Sequence, residues 1–168
     1  MSELKLRIAS VVDDSVVDGP GVRYVIFTQG CKHNCPGCHN PQSHSFSTGM
    51  FVSFDEFYSD LSRFKYVKAV TFSGGEPLEQ PEVIAEFVAK LKEKGYHILI
   101  YTGYTFEQIL ADEKKLKAIE KADLLVDGLF ILRLRSLGAN FRGSSNQRIV
   151  DIQESLKHRE VVLSKYNE

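Results

Sequence analysis

Short strand-like runs and amphipathic, helix-like stretches alternate along this chain, and this alternation constrains the fold more than any other feature. Runs rich in β-branched and aromatic residues predict strands at 4–12, 22–29, 67–73, 97–102, 123–127 and 160–164. Apolar residues at helical spacing predict helices at 53–65, 81–94, from Thr105 onward and at 113–121. Such alternation is typical of parallel βαβ units. A full eight-unit barrel needs about 250 residues. The 168 residues present therefore predict an α/β fold, a partial (β/α) barrel of about six units, in a single domain spanning 1–168.

Two of the predicted helices carry a recognisable signal at their first turn. Ser53 is followed three residues later by Glu56, and Thr105 by Gln108. Ser or Thr with Glu or Gln at this spacing predicts a capping box, in which each residue hydrogen-bonds the backbone of the other.

The charge balance narrows the range of partners. Lys and Arg total 21 and Asp and Glu total 22, giving a formal net charge of −1. A near-neutral chain has no general attraction for nucleic acid or for an anionic membrane surface. No apolar run approaches the roughly 18 residues of a membrane-spanning helix, and the first ten residues lack the features of a secretion signal. We therefore expect a cytoplasmic protein with neither a nucleic acid nor a membrane as its partner.

The chemically distinctive motifs follow the carboxyl ends of four predicted strands. The strand at 22–29 leads into three cysteines, and the strand at 67–73 leads into a Gly-Gly-Glu-Pro turn. The strands at 97–102 and 123–127 lead into Gly-Tyr and Asp-Gly pairs. The carboxyl ends of parallel strands meet on one side of an α/β fold, and that side carries the site. The sequence thus predicts one site assembled from four segments.

Cys31, Cys35 and Cys38 are the three cysteines of the chain. An odd number clustered within eight residues is unlike a disulfide framework and indicates a metal or cluster site. Two arrangements fit the residues. His33 or His39 could complete a Cys₃His zinc site, or the three thiolates could hold a 4Fe–4S cluster with one iron left open.

Several segments together resemble a known enzyme family. The cysteine spacing in 31–38 (CKHNCPGC) resembles the CxxxCxxC signature of radical S-adenosylmethionine enzymes. The segment 18–23 (DGPGVR) resembles a loop of glycyl-radical-enzyme activases, and 71–77 (TFSGGEP) resembles the GGE motif of the superfamily. The segments 127–128 (DG) and 142–148 (RGSSNQR) resemble parts of the anaerobic ribonucleoside-triphosphate reductase activating proteins. The resemblance covers residues from about 8 to about 150 of the chain.

The resemblance implies a cofactor set and an activity. Cys31, Cys35 and Cys38 would hold one 4Fe–4S cluster, and its open iron would bind S-adenosylmethionine. Reductive cleavage of that molecule would give a 5′-deoxyadenosyl radical, which removes a hydrogen atom from a glycine of the partner. The implied partner is the large subunit of an anaerobic ribonucleoside-triphosphate reductase, and the implied electron donor is a flavodoxin-type protein.

The resemblance also assigns residues to the cofactor. The Gly-Gly-Glu turn would line the amino end of S-adenosylmethionine, the third-cysteine segment would lie beside its adenine, and the ends of two later strands would supply further contacts. The implied cofactor-binding residues are Gly37, Cys38, His39, Gly74, Gly75, Glu76, Thr102 and Asp127. From the residues alone, the Gly-Gly-Glu segment also fits a plain turn before a helix. His33 is expected to be a loop residue with a solvent-facing ring.

Two other functions compete with an activase. One is a different radical S-adenosylmethionine enzyme that acts on a small molecule, which the short chain disfavours. The other is a non-catalytic zinc-binding module, which leaves the Gly-Gly-Glu-Pro and Gly-Pro-Gly segments unexplained. The segment 133–148 holds four arginines and no acidic residue, and it fits either a solvated surface or a docking patch for the partner enzyme.

Overall fold

Seven strands of the described residues form one mixed sheet in this computed structural model. The structure describes residues 4–33, 35–38, 41–136, 138 and 140–167. The strands are β1 (Lys5–Ser15), β2 (Arg23–Thr28), β3 (Met50–Ser53), β4 (Ala69–Gly74), β5 (His97–Tyr101), β6 (Leu124–Asp127) and β7 (Arg148–Asp151). Their order across the sheet is β3-β1-β2-β4-β5-β6-β7.

The centre of the sheet is parallel and its flanks are antiparallel. β2, β4, β5 and β6 pair in parallel in that order. β1 and β3 add antiparallel strands on one side, and β7 adds one on the other. Because β3 and β7 form two separate edges, the barrel is incomplete. The α/β class and partial barrel expected from the sequence are confirmed. The parallel strands direct four carboxyl ends to one side, as predicted.

Helices pack against the sheet and share the hydrophobic core with its strands. They are α1 (Phe54–Leu61), α2 (Pro81–Glu93), α3 (Phe106–Leu110), α4 (Glu113–Ile119) and α5 (Ile152–His158). Both predicted capping boxes are present, at Ser53 for α1 and at Thr105 for α3. Aromatic rings of α1 and α2 pack together, with the ring centroids of Phe57 and Phe87 5.4 Å apart. Among the described helices, none is long and apolar enough to cross a membrane.

Three elements near the sheet edges were not predicted from the sequence. β3 and β7 have four residues each, which is too short for a clear alternation of apolar and polar positions. α5 begins directly after β7 and is capped by the Asp151 side chain. The strand expected at 160–164 is reduced to a single bridge between Val150 and Leu163.

Candidate metal centre and cofactor cavity

A cavity of about 620 Å³ opens at the carboxyl ends of the parallel strands. The loops after β2, β4 and β5 form its walls, together with residues between 128 and 147. Most of the predicted site residues line it: Cys31, Cys35, Cys38, Gly74, Gly75, Glu76 and Thr102. The expectation that separate segments converge on one site is therefore met for the cysteine loop, the Gly-Gly-Glu turn and the end of β5.

The cysteine loop is an irregular, hydrogen-bonded turn. The backbone N–H of Cys38 donates to the carbonyl of Cys35 at 3.1 Å, and that of Cys31 donates to the carbonyl of His44 at 3.0 Å. Gly37 has a φ of +75°, which a glycine adopts without strain. The His44 Nε2 also lies 3.3 Å from the Cys38 Sγ. His44 belongs to no motif, so its contact with a cysteine thiol was not foreseeable from the sequence.

The donor set of this loop fits an iron–sulfur cluster. Its three cysteines line one cavity, and thiolates are the ligands that such clusters take. Burial is the main reason why the pKa of the Cys35 thiol is raised, and the positive charge of bound iron favours the thiolate. Within the described ranges, no three His, Cys, Asp or Glu side chains are arranged to hold a single metal ion.

The two histidines considered as a fourth zinc ligand have different outcomes. His33 directs its Nε2 to a carboxylate oxygen of Glu76 at 2.7 Å, so this nitrogen is already engaged. His39 lies outside the described residues, and its expected place beside the adenine stays a prediction.

The Glu76 carboxylate accepts four hydrogen bonds at the site. Only 1% of its side chain is exposed. Its Oε1 accepts from His33 Nε2 at 2.7 Å and from the Gly103 N–H at 2.7 Å. Its Oε2 accepts from the Thr102 hydroxyl at 2.8 Å and from the Leu78 N–H at 3.0 Å. The carboxylate therefore ties the cysteine loop, its own turn and the end of β5 together.

His33 corrects one sequence-based expectation. Its ring does not face the solvent, because only 13% of its side chain is exposed. The ring lies edge-on to Tyr104, with centroids 4.7 Å apart. The position of the ring is set by its contacts with Glu76 and Tyr104. Both residues are distant from His33 in sequence, so no local pattern around His33 reveals these contacts.

The Gly-Gly-Glu turn lies directly on the end of β2. The Gly75 N–H donates to the Thr28 carbonyl at 2.8 Å, and the Glu76 N–H donates to the Gly30 carbonyl at 2.8 Å. Gly74 has a φ of +97°. The turn is thus held by backbone contacts, and its residues still face the cavity.

Two predicted cofactor residues lie outside the cavity lining. Asp127 is 1% exposed, and its carboxylate accepts from the Phe106 N–H at 2.7 Å and from the Arg148 Nε at 3.0 Å. Arg148 also pairs with Glu107 at 2.7 Å, and hydrogen bonds to these two carboxylates raise its pKa. A Cβ at Gly37 would lie 2.7 Å from the Leu132 Cδ1. The cofactor contacts expected of Asp127 and Gly37 stay predictions.

The arginine-rich segment 133–148 contributes to the site in two ways. Arg135 and Arg142 line the cavity, whereas Arg148 donates a hydrogen bond to the Asp127 carboxylate. Gln147 also lines it, and its Oε1 accepts from the Gly143 N–H at 2.8 Å. The RGSSNQR motif pointed to this segment, but the sequence did not separate the residues that face the cavity from those that support the fold.

Comparisons with known proteins agree with this geometry. A family model described as a 4Fe-4S single cluster domain matches residues 17–150. The anaerobic ribonucleoside-triphosphate reductase-activating protein of Escherichia coli K12 is 32% identical over 140 residues, which cover 79% of this chain and 90% of that protein. Its counterpart from enterobacteria phage T4 is 34% identical, covering 79% of this chain and 86% of that protein.

A second kind of activating enzyme is also similar. The pyruvate formate-lyase-activating enzyme of Clostridium pasteurianum is 42% identical over 113 residues. That alignment covers 62% of this chain and 48% of that protein, so this relative is matched over about half of its length.

The fold also resembles that of a solved structure. QueE from Escherichia coli has a TM-score of 0.51 at 18% identity, over 60% of this chain and 53% of that chain. At this identity the likeness concerns the fold alone. The family model and the sequence relatives, by contrast, lead to one conclusion: the chain belongs to the 4Fe–4S activating enzymes of the radical S-adenosylmethionine superfamily, an oxidoreductase family that includes the anaerobic ribonucleoside-triphosphate reductase-activating proteins.

Proposed function

We propose that this chain generates a glycyl radical on the large subunit of an anaerobic ribonucleoside-triphosphate reductase. The observation that carries this proposal is the cavity in which the cysteine loop, the Gly-Gly-Glu turn and the end of β5 converge. The choice of partner is supported by coverage. The similarity spans 90% and 86% of two reductase activators, against 48% of the formate-lyase activator.

In the proposed site, Cys31, Cys35 and Cys38 hold one 4Fe–4S cluster, and S-adenosylmethionine binds beside it. When bound, this pair supplies reductive cleavage of the cofactor's carbon–sulfur bond and a 5′-deoxyadenosyl radical that takes a hydrogen atom from glycine. The chain itself provides ligands, orientation and shielding from water. We assign all of these tasks to the single domain spanning 1–168 and retain the cytoplasmic location expected from the sequence.

The remaining site residues would shape the cofactor's surroundings. Gly74 and Gly75 let the backbone approach the amino end of S-adenosylmethionine, with Glu76 behind them and Thr102 at the neighbouring strand end. The segment of Gly37, Cys38 and His39 would contact the adenine. Asp127 would act on the cofactor from its position just outside the residues that line the cavity. This list keeps the residue assignments implied by the family resemblance.

The mouth of the cavity suits a protein substrate. Val16 and Val17 line it while remaining 65% and 71% exposed. Apolar side chains exposed at the entrance can pack against an entering segment of a partner and exclude water from the radical. Arg135 and Arg142 also line the cavity and add positive charge to it, which favours a partner with complementary acidic groups.

Electrons would come from an external donor of the flavodoxin type. The sequence holds three cysteines in all, and the proposed cluster uses each of them. No cysteine is left for a second relay cluster, so we infer direct reduction of this cluster by the donor.

The experiment is an anaerobic reconstitution. Protein loaded with iron and sulfide should hold about four irons per chain and should release 5′-deoxyadenosine when S-adenosylmethionine and dithionite are added. Mixing with the reductase large subunit should give a glycyl radical signal by electron paramagnetic resonance. Cys35→Ala is the matched control and should lose both results.

Three outcomes would overturn the proposal. Stoichiometric zinc without cofactor cleavage would indicate the binding module. Cleavage without a glycyl radical on the reductase would indicate a small-molecule substrate. A radical formed on pyruvate formate-lyase but not on the reductase would reassign the partner, an outcome that the 42% identical relative makes worth testing.

A further inference from the structure

The starting observation is that the Glu76 carboxylate is already fully engaged by the chain. An ionised carboxylate offers about four acceptor positions. Two backbone N–H groups, one hydroxyl and one imidazole nitrogen lie at 2.7–3.0 Å from its two oxygens. This carboxylate is therefore the shared acceptor of several loops before any cofactor binds.

The direction of the His33 hydrogen bond follows from the other donors. The N–H groups of Gly103 and Leu78 can only donate, so both oxygens of Glu76 act as acceptors. An ionised Glu76 carboxylate has no proton to give, so the Nε2 of His33 carries the proton of this hydrogen bond and donates it to Oε1. A hydrogen bond to a buried charged acceptor is among the stronger kinds in a protein.

The ring of His33 is also fitted into its position by shape. A Cβ added at Gly103 would lie 2.7 Å from the His33 Cδ2 and 2.8 Å from its Nε2. Gly103 therefore leaves the space that the imidazole fills. Tyr104 closes one side of the ring, with its centroid 4.7 Å away.

His33 lies in the loop between Cys31 and Cys35, whereas Glu76 follows β4 and Gly103 follows β5. We propose that His33 is a positioning residue, which ties the cysteine loop to Glu76 and so sets the cluster ligands relative to the S-adenosylmethionine site. The proposal rests on the proposed function and deepens it. It gives Glu76 a different task from direct capture of the cofactor, because its oxygens are used to hold the loops in place.

Two substitutions separate the hydrogen bond of His33 from the shape of its ring. His33→Phe keeps an aromatic ring against Gly103 and Tyr104 but removes the donor. His33→Gln keeps an N–H donor but removes the ring. We expect His33→Phe to retain the iron content of the wild type and to weaken S-adenosylmethionine binding about tenfold, the order expected for losing a hydrogen bond to a charged group. His33→Gln should recover part of that loss.

The direct readouts are binding and spectroscopy rather than turnover. The dissociation constant of S-adenosylmethionine is measured on reconstituted protein under anaerobic conditions. The electron paramagnetic resonance spectrum of the reduced cluster is recorded with and without the cofactor. A purely structural role of His33 would shift the melting temperature and leave both readouts near the wild-type result. His158→Phe, on an exposed position of α5, is the matched histidine control and should change neither.

A double-mutant cycle with Glu76→Gln tests whether His33 acts through Glu76. If it does, the two effects on the dissociation constant are non-additive. The double variant then binds S-adenosylmethionine no more weakly than the single variant that has the lower affinity. Gly103→Ala is an independent test that keeps both hydrogen-bonding side chains. Its added methyl group must displace the His33 ring. It should weaken cofactor binding in the same direction, including in the case that His33→Phe does not fold.

The outcomes distinguish this inference from the proposed function. Wild-type protein that binds no cluster or no S-adenosylmethionine would contradict the proposed function. Wild-type protein that binds both, with a His33→Phe variant of unchanged affinity and spectrum, would overturn only the role of His33. Fully additive effects in the cycle would also overturn it.

Discussion

Gly74 leaves no room for a side chain. A Cβ built on it would lie 2.5 Å from the backbone nitrogen of Thr28 and 2.7 Å from the Cα of Phe27. Both atoms belong to β2, the parallel partner of β4. The first glycine of the motif is therefore required by the packing of a turn on a neighbouring strand, independently of any cofactor.

Gly74→Ala should destabilise the fold by roughly 2–4 kcal/mol, combining backbone strain at positive φ with overpacking against fixed backbone atoms. Gly95→Ala is the matched control. Gly95 has a similar φ of +87° with no heavy atom within 4 Å of its would-be Cβ, so strain alone should cost about 1 kcal/mol. Urea unfolding measures both changes. Equal losses would show that the contact with β2 has no effect.

Three parallel strands are joined at their amino ends by one buried guanidinium. Arg23, at the start of β2, is fully buried and donates to the Thr71 hydroxyl at 2.7 Å and to the Val70 carbonyl at 3.1 Å in β4. It also lies 3.1 Å from the Nδ1 of His97, at the start of β5, and donates to the Pro20 carbonyl at 2.8 Å. Burial lowers the pKa of Arg23 to about 10, so the group remains a cation at neutral pH.

The same network reaches the cavity through the loop that precedes β2. The Thr71 hydroxyl donates to the Asp18 carbonyl at 2.8 Å, and Asp18 lines the cavity with Val16 and Val17. The amino ends of the strands thus hold Asp18, a residue that itself lines the cavity.

His97 should make the stability of the fold sensitive to acid. Burial, and then the charge of Arg23, lower its pKa below the ordinary value of 6.5. As pH falls below 6.5, the unfolded chain takes up a proton at this residue before the folded chain does, so the free energy of unfolding decreases. Well above pH 6.5 the imidazole is neutral in both states, and the residue has no pH-dependent effect there.

His97→Asn removes this titration and keeps an oxygen that can accept from Arg23. The loss of stability between neutral pH and a pH below 6.5 should be smaller in this variant than in the wild type, as measured by urea unfolding at both pH values. His158→Asn, on the surface, should behave as the wild type does. A wild-type and a His97→Asn protein with the same pH dependence would contradict the expectation.

At the scale of the whole molecule, segments that are far apart in the chain meet at the carboxyl ends of the parallel strands. The cavity draws on residues from Val16 to Gln147. Its proposed metal ligands, however, come from one short loop between β2 and β3. A cluster bound by this loop would hold the loop in its native arrangement beside the strand ends.

Cluster loading should therefore stabilise the native protein by mass action, because the unfolded chain does not preserve the site. Anaerobic calorimetry should show a higher melting temperature for reconstituted protein than for the same protein after iron removal. Cys35→Ala should show no such difference. An equal melting temperature for the loaded and stripped wild type would contradict this expectation.

Local patterns were sufficient to predict much of the fold and the place of the cysteine loop in it. The capping boxes at Ser53 and Thr105 involve residues three positions apart, so the sequence alone determines them. The α/β alternation depends on the periodicity of single segments, and parallel strands must direct their carboxyl ends to one side. The convergence of the cysteines and the Gly-Gly-Glu turn followed from these two facts.

Contacts between distant segments were decided only by the tertiary structure. The hydrogen bond of His33 to Glu76 spans 43 residues, and that of Arg148 to Asp127 spans 21. β3 and β7, with four residues each, become strands because β1 and β6 offer them free edges to pair with. The sequence by itself determined which residues are candidates for the proposed chemistry, since residue type and spacing are local. The tertiary structure decided that His33 and Asp127 are hydrogen-bonded within the protein, because a polar side chain bonds to whichever partners the fold brings within about 3 Å of it.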